Sequence, residues 1–458
     1  MSVDVDVVVA GAGGAGLTAA LRAAEAGATV ALLEWREHFR QGNNTSMSTA
    51  MIPAAGSRWQ HAAGIRDTPS IFRDDIDRKT RGSAHATTVL ALTEVAPDLV
   101  HWLADEVGLQ LSLVTDFVYP GHSHPRCHSL PDRSGASLLQ GLLRAVERQD
   151  RIMLVVPSRL RGVVLDARGQ VAGVRAENPG GEIEAISTRA LILATGGYGA
   201  NPELVRELVP EIAQGTYYGG DGCHGDALLI GRDLAADTGF LDAYQGHGSL
   251  AVPQQVLATW AIVMHGGIVI NEQGARFGDE TIGYSEYARM VLDQPGGRAW
   301  LVFDERIDVA CRRFKDYQDL LAQGGVRQGD DLDVLVAQTG VDPSGLVATL
   351  GQVAEARSGR AEDPHGRTDW GTGLAPPYRA VRITGALFHT QGGILVDRHA
   401  RALRKGEPIP GLYAAGGAAA GISGHGASGY LAGNGLLAAL GLGFVAGAHA
   451  AGRGQIAT

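Results

Sequence analysis

The sequence predicts an α/β protein with two domains: one with a parallel sheet, built from residues 1–236 and 373–458, and an inserted α+β domain over residues 237–372. The chain opens with a short apolar run that leads through glycines into a helical segment, as parallel βαβ units do. Its character changes over the middle third, and short apolar runs bounded by glycine return near the C-terminus. The simplest organisation is therefore one domain formed by both ends of the chain, with the second inserted between them.

The first βαβ unit is predicted as a strand over residues 5–10, a helix over 15–26 and a strand over 28–34. Residues 153–177 alternate as a hairpin. The remaining predicted elements are helices near 70–107, 135–149, 314–323 and 343–356, strands at 189–195, 391–396 and 411–415, and a hairpin-like segment at 266–277.

Composition excludes several classes of protein. With 45% hydrophobic and 19% charged residues, the 458-residue chain is an ordinary globular protein. A net charge of −10 argues against nucleic acid as a partner, because phosphate binding needs a basic surface. Three cysteines without CxxC spacing disfavour a disulfide framework or a zinc site and fit a reducing compartment.

Neither end of the chain suggests a membrane protein. The N-terminus has no basic segment followed by an apolar one, so we expect a cytoplasmic location. Residues 431–451 are apolar and rich in small residues, but their glycines favour a buried helix over a membrane span. We therefore expect no stable membrane insertion.

A dinucleotide-binding motif follows the first strand. Gly11, Gly13 and Gly16 form G-x-G-x-x-G at the start of a helix, and Glu34 ends the second strand. The glycines permit a tight turn, close approach to a pyrophosphate and close packing of helix on strand. The acid lies where a ribose hydroxyl is recognised.

Two later glycine segments indicate FAD rather than NAD. Thr195-Gly196-Gly197 follows a buried strand, and Gly416-Gly417 follows another near the C-terminus. A chain that returns at its end with a strand and glycines can contact the far end of a long, extended cofactor. The fold expected is therefore a Rossmann-like FAD-binding domain.

Motifs along nearly the whole chain resemble the flavoproteins of the fumarate reductase/succinate dehydrogenase class, which includes 3-ketosteroid dehydrogenases. In chain order they are Gly11–Gly16 with Glu34, Ala194–Tyr198, Gly220–Gly222 with Gly225–Ala227, Gly266–Asn271 with Gly274–Phe277, His389–Gly393 and Ile409–Gly416. The resemblance implies a flavin domain capped by a mobile insert, with the active site between them. It also implies hydride transfer between flavin and a carbon of a polarised C–C bond.

The resemblance places the FAD contacts in seven segments. No histidine stands at the position of the family's covalent attachment, where Thr45-Ser46-Met47-Ser48 occur, so we expect non-covalent FAD. The expected contact residues are Gly11, Ala12, Gly13, Gly14, Ala15, Gly16, Glu34, Trp35, Thr45, Ser46, Met47, Ser48, Thr195, Gly196, Gly197, Asp226, Gly416, Gly417, Asn434, Gly435 and Leu436.

Two tyrosines stand where fumarate reductases carry arginines. Eight residues after Arg276 the family's proton-donating Arg corresponds to Tyr284, and the carboxylate-clamping Arg before the last glycines corresponds to Tyr430 if one inserted residue is allowed. The proton-relay Glu and Arg correspond to Trp260 and Val263, which relay no protons. The family's carboxylate-binding His, Thr and His are matched by His247, Thr259 and His389.

This pattern is similar to that of 3-ketosteroid dehydrogenases and predicts dehydrogenation beside a carbonyl, or its reverse. Tyr284 would move the proton, and Tyr430 with the backbone N–H of Gly433 or Asn434 would hold the carbonyl oxygen. His389 would be a further catalytic or substrate-contact residue, or else a structural histidine beside Gly392-Gly393. Tyrosine is a neutral donor that suits a ketone, whereas arginine is a charged fork that suits a carboxylate.

Three further candidates lie in the loop after residue 118. Tyr119 is either a pocket residue or a loop aromatic, and Arg126 is either a substrate contact or a loop ion-pair residue. His122, His124 and His128 lack the spacing and the additional ligands of a metal site, so no metal is predicted.

The direction of the reaction stays open. A reductase of an activated alkene would use the same groups, and a third hypothesis is an electron-transfer subunit of a larger complex. The sequence shows no haem motif or second nucleotide fold, which weakly favours oxidation of a small carbonyl or carboxylate substrate, with electrons passing to a separate acceptor or oxygen.

Overall fold

A computed structural model describes residues 3–116, 118–119 and 121–452. The chain forms two compact units. The first comprises Met1–Val209, Gly219–Gln245 and His389–Thr458, and the second Pro210–Tyr218 and Gly246–Phe388. The main segment of the second unit ends at Phe388, beyond the predicted end at residue 372. It extends this far because strand Tyr378–Thr390 pairs with Arg298–Asp304.

The first unit is organised around a six-stranded sheet, and this confirms the predicted Rossmann-like fold with a parallel sheet. Five strands are parallel, and one edge strand is antiparallel. Their spatial order is Arg401–Arg404, Glu407–Ala414, Ala190–Leu193, Val7–Ala10, Val30–Leu33 and Ile152–Val155. The Val-, Ile- and Leu-rich central strands are fully buried, as expected for a sheet covered on both faces.

Three smaller sheets accompany this core. They consist of Val3–Asp4, Ile183–Ser187, Val171–Glu177 and Arg159–Leu165; of Ile52–Pro53, Cys127–Ser129 and Ser112–Leu113; and of Thr238–Gly239 with Gly393–Ile394. The predicted hairpin is formed by the strands on either side of Asp166–Gln170, whereas Ile152–Val155 joins the parallel sheet instead.

The helices of the first unit are Gly14–Glu25, Arg58–Ala62, Pro69–Thr80, Ala86–Asp105, Gly135–Glu147, Pro202–Leu208, Asp226–Asp233 and Asn434–Ala450, with a 3₁₀ turn at Gly416–Ala418. The last helix is largely buried, as predicted, and its Gly443 and Gly447 let it approach the helix Gly14–Glu25 closely. Among the described residues, none of the helices has the length and apolarity that a bilayer crossing requires.

The second unit contains a seven-stranded sheet centred on Tyr378–Thr390. The other strands are Val256–Leu257, Tyr244–Ala251, Arg298–Asp304, Ile268–Ile270, Thr216–Tyr217 and Val326–Gly329. Its helices are Ala261–Met264, Tyr284–Leu292, Glu305–Cys311, Lys315–Ala322, Leu332–Thr339 and Pro343–Arg357, with 3₁₀ turns at Pro210–Ile212, Glu280–Ile282 and Pro295–Gly297. This mixture matches the α+β insert expected from the sequence.

Candidate active site

The glycine loop after the first strand has the geometry that its sequence predicts. Gly11 adopts φ +106°, and its N–H donates to the carbonyl of Leu33 at 2.7 Å. A Cβ on Gly16 would lie 1.8 Å from the carbonyl oxygen of Gly11, so only glycine lets the helix begin this close to the strand. A Cβ on Gly13 would meet only Thr45 Oγ1, at 3.8 Å, which leaves room beside the helix N-terminus for a phosphate.

Two side chains hold this loop from outside. The N–H of Ala12 donates to Glu34 Oε2 at 3.0 Å, and the N–H of Gly14 donates to Thr45 Oγ1 at 2.9 Å. Glu34 is 8% exposed, and its burial raises the pKa of the carboxyl group. Glu34 and Thr45 thus contact the loop, although they lie 22 and 31 residues from the residues they bind.

Five other predicted cofactor contacts differ in their exposure and in their bonding partners. Ser48 Oγ donates to the carbonyl of Thr45 at 2.8 Å, Ser46 exchanges hydrogen bonds with Asn43, and Met47 is 42% exposed. The guanidinium of Arg159 lies 4.9 Å from the centre of the Trp35 ring. Arg159 also pairs with both carboxylate oxygens of Asp226 at 2.9 and 3.0 Å, so this predicted cofactor contact is held in an ion pair.

The second and third glycine segments meet in space. A Cβ on Gly417 would lie 2.7 Å from the backbone N of Gly197, and a Cβ on Gly197 would lie 2.1 Å from Thr390 Oγ1. Thr195 Oγ1 accepts a hydrogen bond from the N–H of Ala227 at 3.2 Å. The glycine segments that follow two strands far apart in sequence therefore lie side by side.

The start of the last helix also fits a polar ligand. Asn434 is fully buried, with Gly433 as the helix N-cap, and its Oδ1 has no hydrogen-bond partner among the described residues. A buried acceptor without a donor is costly, so it suits a position beside a cofactor that carries N–H and O–H groups. The residues present thus fit FAD.

His389 and Tyr430 form a cluster in the first unit. Their rings lie edge-on with centroids 5.9 Å apart. Gln391 Nε2 lies 2.9 Å from His389 Nδ1, and burial lowers the pKa of His389 to about 4. The imidazole is therefore neutral at physiological pH and offers a hydrogen bond rather than a charge.

A second cluster lies in the second unit around His247. Its ring is stacked between the rings of Tyr284 and Phe388, at centroid distances of 4.7 and 5.1 Å, and meets Trp260 edge-on at 5.9 Å. Burial lowers the pKa of His247 to about 3. Because the N–H of Ser249 donates to His247 Nδ1 at 3.3 Å, the proton of this neutral ring is on Nε2.

The remaining predicted residues have more local roles. Thr259 Oγ1 accepts from the N–H of Ala261 at 3.4 Å, just before a short helix. Tyr119 is partly buried and packs against a small cluster of Met51, Val114 and Cys127. Among residues 3–116, 118–119 and 121–452, no group of three or more His, Cys, Asp or Glu side chains is placed to hold a metal ion.

Arg126 is buried, and its ion pairs distinguish between its two predicted roles. Its guanidinium donates to both oxygens of Asp67 at 2.9 and 3.0 Å and to Asp75 at 2.7 Å, with all three side chains inaccessible to solvent. These contacts favour the ion-pair role over substrate contact, and Arg126 has no part in the function proposed below.

Sequence reasoning missed three residues of these clusters. Phe388 stacks on His247, and Gln391 and Ser423 lie behind His389. Gln391 stands inside the quoted His389–Gly393 segment, so its spacing of two from His389 was an available signal. No local pattern marks Ser423 or Phe388.

Comparison with known proteins identifies the family. The family described as FAD binding domain matches residues 6–436. This chain belongs to that family. The predicted cofactor, FAD, and the predicted fold are thereby confirmed.

Relatives of this flavoprotein include the NADH:fumarate oxidoreductase of Klebsiella pneumoniae, 30% identical over 92% of this chain. The chain spans 45% of that relative's length. Among solved structures, the open conformation of a flavocytochrome c3 fumarate reductase is similar with a TM-score of 0.83 at 27% identity, over 98% of this chain and 78% of the other. The 3-ketosteroid-Δ4-(5α)-dehydrogenase of Rhodococcus jostii shares the fold with a TM-score of 0.77 at 24% identity, over 98% and 97%.

We expect Gly16→Ala to abolish stable FAD binding, because the new methyl group would collide with the carbonyl of Gly11. The ratio of flavin to protein absorbance after purification measures this. Gly351→Ala is the matched control, since a Cβ there meets nothing within 4 Å inside the helix Pro343–Arg357, and it should leave the flavin content unchanged. A yellow Gly16→Ala protein would contradict the packing argument.

His247 and His389 predict acid sensitivity, because desolvation lowers the pKa of both. An unfolded histidine titrates at about 6.5, whereas the folded pKa is about 3 for His247 and about 4 for His389. Between these values the unfolded state binds more protons, so their contribution to stability is present above pH 6.5 and is lost as the pH falls towards 4. We expect Tm to fall over this range, and less steeply in His247→Phe; equal slopes in the two proteins would contradict the assignment.

Proposed function

We propose that this flavoprotein is a dehydrogenase that removes hydride and a proton from adjacent carbons beside a carbonyl group. Bound FAD supplies the hydride acceptor. Tyr284, after its own hydroxyl proton has passed to solvent, takes the substrate proton as a tyrosinate, and Tyr430 and His389 donate hydrogen bonds to the carbonyl oxygen. His247 offers a further neutral donor, and the backbone N–H of Gly433 or Asn434 supplements them.

The main support for this proposal is that His247 and His389 are both neutral. For His247, burial alone accounts for the lowered pKa, and for His389 burial outweighs an opposing hydrogen bond with the Thr390 backbone. Neutral N–H and O–H groups match a ketone-type oxygen, whereas desolvating a carboxylate without a cation is costly. With tyrosines at the positions of the family's two arginines, the substrate class favoured is an uncharged carbonyl compound.

Anaerobic mixing of the holoenzyme with a panel of cyclic ketones, a 3-ketosteroid and succinate tests the proposal. Loss of flavin absorbance near 450 nm with a ketone, but not with succinate, is the expected result. Reduction by succinate alone would overturn the proposed substrate class. Release of flavin into the supernatant on acid precipitation is expected if FAD is non-covalent, as we also propose.

A reductase of an activated alkene is the second candidate, and the names of the relatives favour it. They include an NADH:fumarate oxidoreductase and a urocanate reductase. The same groups serve both directions, because the reverse reaction passes through the same transition state. Reoxidation of the chemically reduced enzyme by an enone or fumarate, with no reduction by any saturated compound of the panel, would support this candidate.

A further inference from the structure

Behind His389 lies a row of buried side chains that the function proposed above does not use. Asn434 Nδ2 lies 3.4 Å from Ser423 Oγ, Ser423 Oγ lies 3.1 Å from Gln391 Oε1, and Gln391 Nε2 lies 2.9 Å from His389 Nδ1. The three residues before His389 in this row are 0%, 1% and 4% exposed. Water therefore has little access to the row, and its hydrogen bonds are made within the protein.

The backbone fixes Gln391 in place. Its N–H donates to the carbonyl of Ala243 at 2.8 Å, and its carbonyl accepts from the N–H of Gly421, also at 2.8 Å. A Cβ on Gly421 would lie 3.0 Å from Gln391 Oε1, so glycine there leaves space for the amide. The backbone of Gln391 is thus held by two hydrogen bonds, and its amide has room beside Gly421.

The row has a preferred direction. If each group donates towards His389, the amide N–H of Gln391 donates to Nδ1. One acceptor, Asn434 Oδ1, then has no partner among the described residues and remains available to the N–H or O–H groups of the cofactor. The opposite direction would instead leave the two N–H donors of Asn434 in that buried position. Unpaired buried N–H groups are rarer than under-satisfied acceptors, so the first direction is favoured.

We propose that Gln391 and Ser423 are positioning residues that hold neutral His389 with its proton on Nε2, so that it donates to an uncharged carbonyl oxygen. This inference rests on the proposed function for its substrate. A Cβ on Gly435 would lie 3.0 Å from His389 Nε2, so glycine there keeps this ring edge clear of a side chain. His247 has the same tautomer through a different device, the backbone N–H of Ser249.

Nitrogen-15 NMR of the holoenzyme labelled in its histidines measures the tautomer directly, because protonated and unprotonated ring nitrogens differ widely in chemical shift. His389→Asn identifies the signals of His389 by their loss. At pH 7 the wild type is expected to show a protonated Nε2 and an unprotonated Nδ1. Gln391→Met fills a similar volume without the donor and should give a mixture of both tautomers. Gln391→Glu should protonate both nitrogens.

The signals of His247 are the internal control and should not move in these variants. A wild-type His389 protonated on Nδ1, or a tautomer unchanged in Gln391→Met, would overturn the proposal. If Gln391→Met does not bind flavin, Ser423→Ala decides in its place, since it removes the hydroxyl group that orients the Gln391 amide. The readout needs no substrate, so failure of every ketone in the panel would count against the proposed function and not against this tautomer.

Discussion

Replacing Tyr284 with Phe is expected to lower the rate of flavin reduction by a ketone by about 10²–10⁴-fold, the range for loss of a general acid or base. Tyr284 begins the helix Tyr284–Leu292, and its ring stacks on the neutral ring of His247. Phenylalanine keeps the ring and its stacking partners but cannot move a proton. Anaerobic stopped-flow absorbance with a substrate from the panel gives the rate.

Tyr287→Phe is the matched control for this experiment. Tyr287 lies three residues further along the same helix, is fully buried, and its hydroxyl group makes no hydrogen bond with the described residues. Its removal should change neither the rate nor the flavin spectrum. If Tyr284→Phe reduced flavin as fast as the wild type, Tyr284 would be a packing residue and the proton would need another acceptor.

Elements with a strong local pattern could be predicted from the sequence. The helix expected at 343–356 is Pro343–Arg357, and the strand expected at 189–195 is Ala190–Leu193. The strand Ile152–Val155 is equally short, but it was assigned to a hairpin although it pairs with Val30–Leu33. Which neighbour such a strand joins depends on long-range packing rather than on its own residues.

The same limit applies to the site. Glycines that a cofactor or a crossing strand requires can be recognised one by one, because no other residue meets the steric demand at Gly11 or Gly16. The role of Ser423 can be recognised only from the structure, since Ser423 lies 32 residues from its hydrogen-bond partner Gln391. Tyr284 lies beyond the predicted hairpin-like segment 266–277 and begins a helix, directly after Gly283 with φ +134°.

Arg126→Met is expected to destabilise the first unit by about 3–5 kcal/mol, the usual cost of breaking a buried ion pair. The substitution leaves the carboxylates of Asp67 and Asp75 buried without their cation. Burial raises the pKa of Asp75, but hydrogen bonds from Ser123 and the guanidinium of Arg126 outweigh this effect and hold that pKa below its usual value. A fall in Tm of at least about 5 °C in thermal unfolding of the holoenzyme is expected.

Arg58→Met is the matched control, because it removes an arginine–carboxylate ion pair that is exposed instead of buried. Arg58 also binds a carboxylate, Asp105, through two hydrogen bonds of 2.7 Å, but the two side chains are 48% and 51% exposed. Water screens such a pair, so its loss should leave the Tm nearly unchanged. Adding Asp67→Asn and Asp75→Asn to Arg126→Met should restore part of the stability, because the buried charges are then removed together. An Arg126→Met protein with an unchanged Tm but a raised KM would instead make Arg126 a substrate contact, the alternative that the buried geometry disfavours.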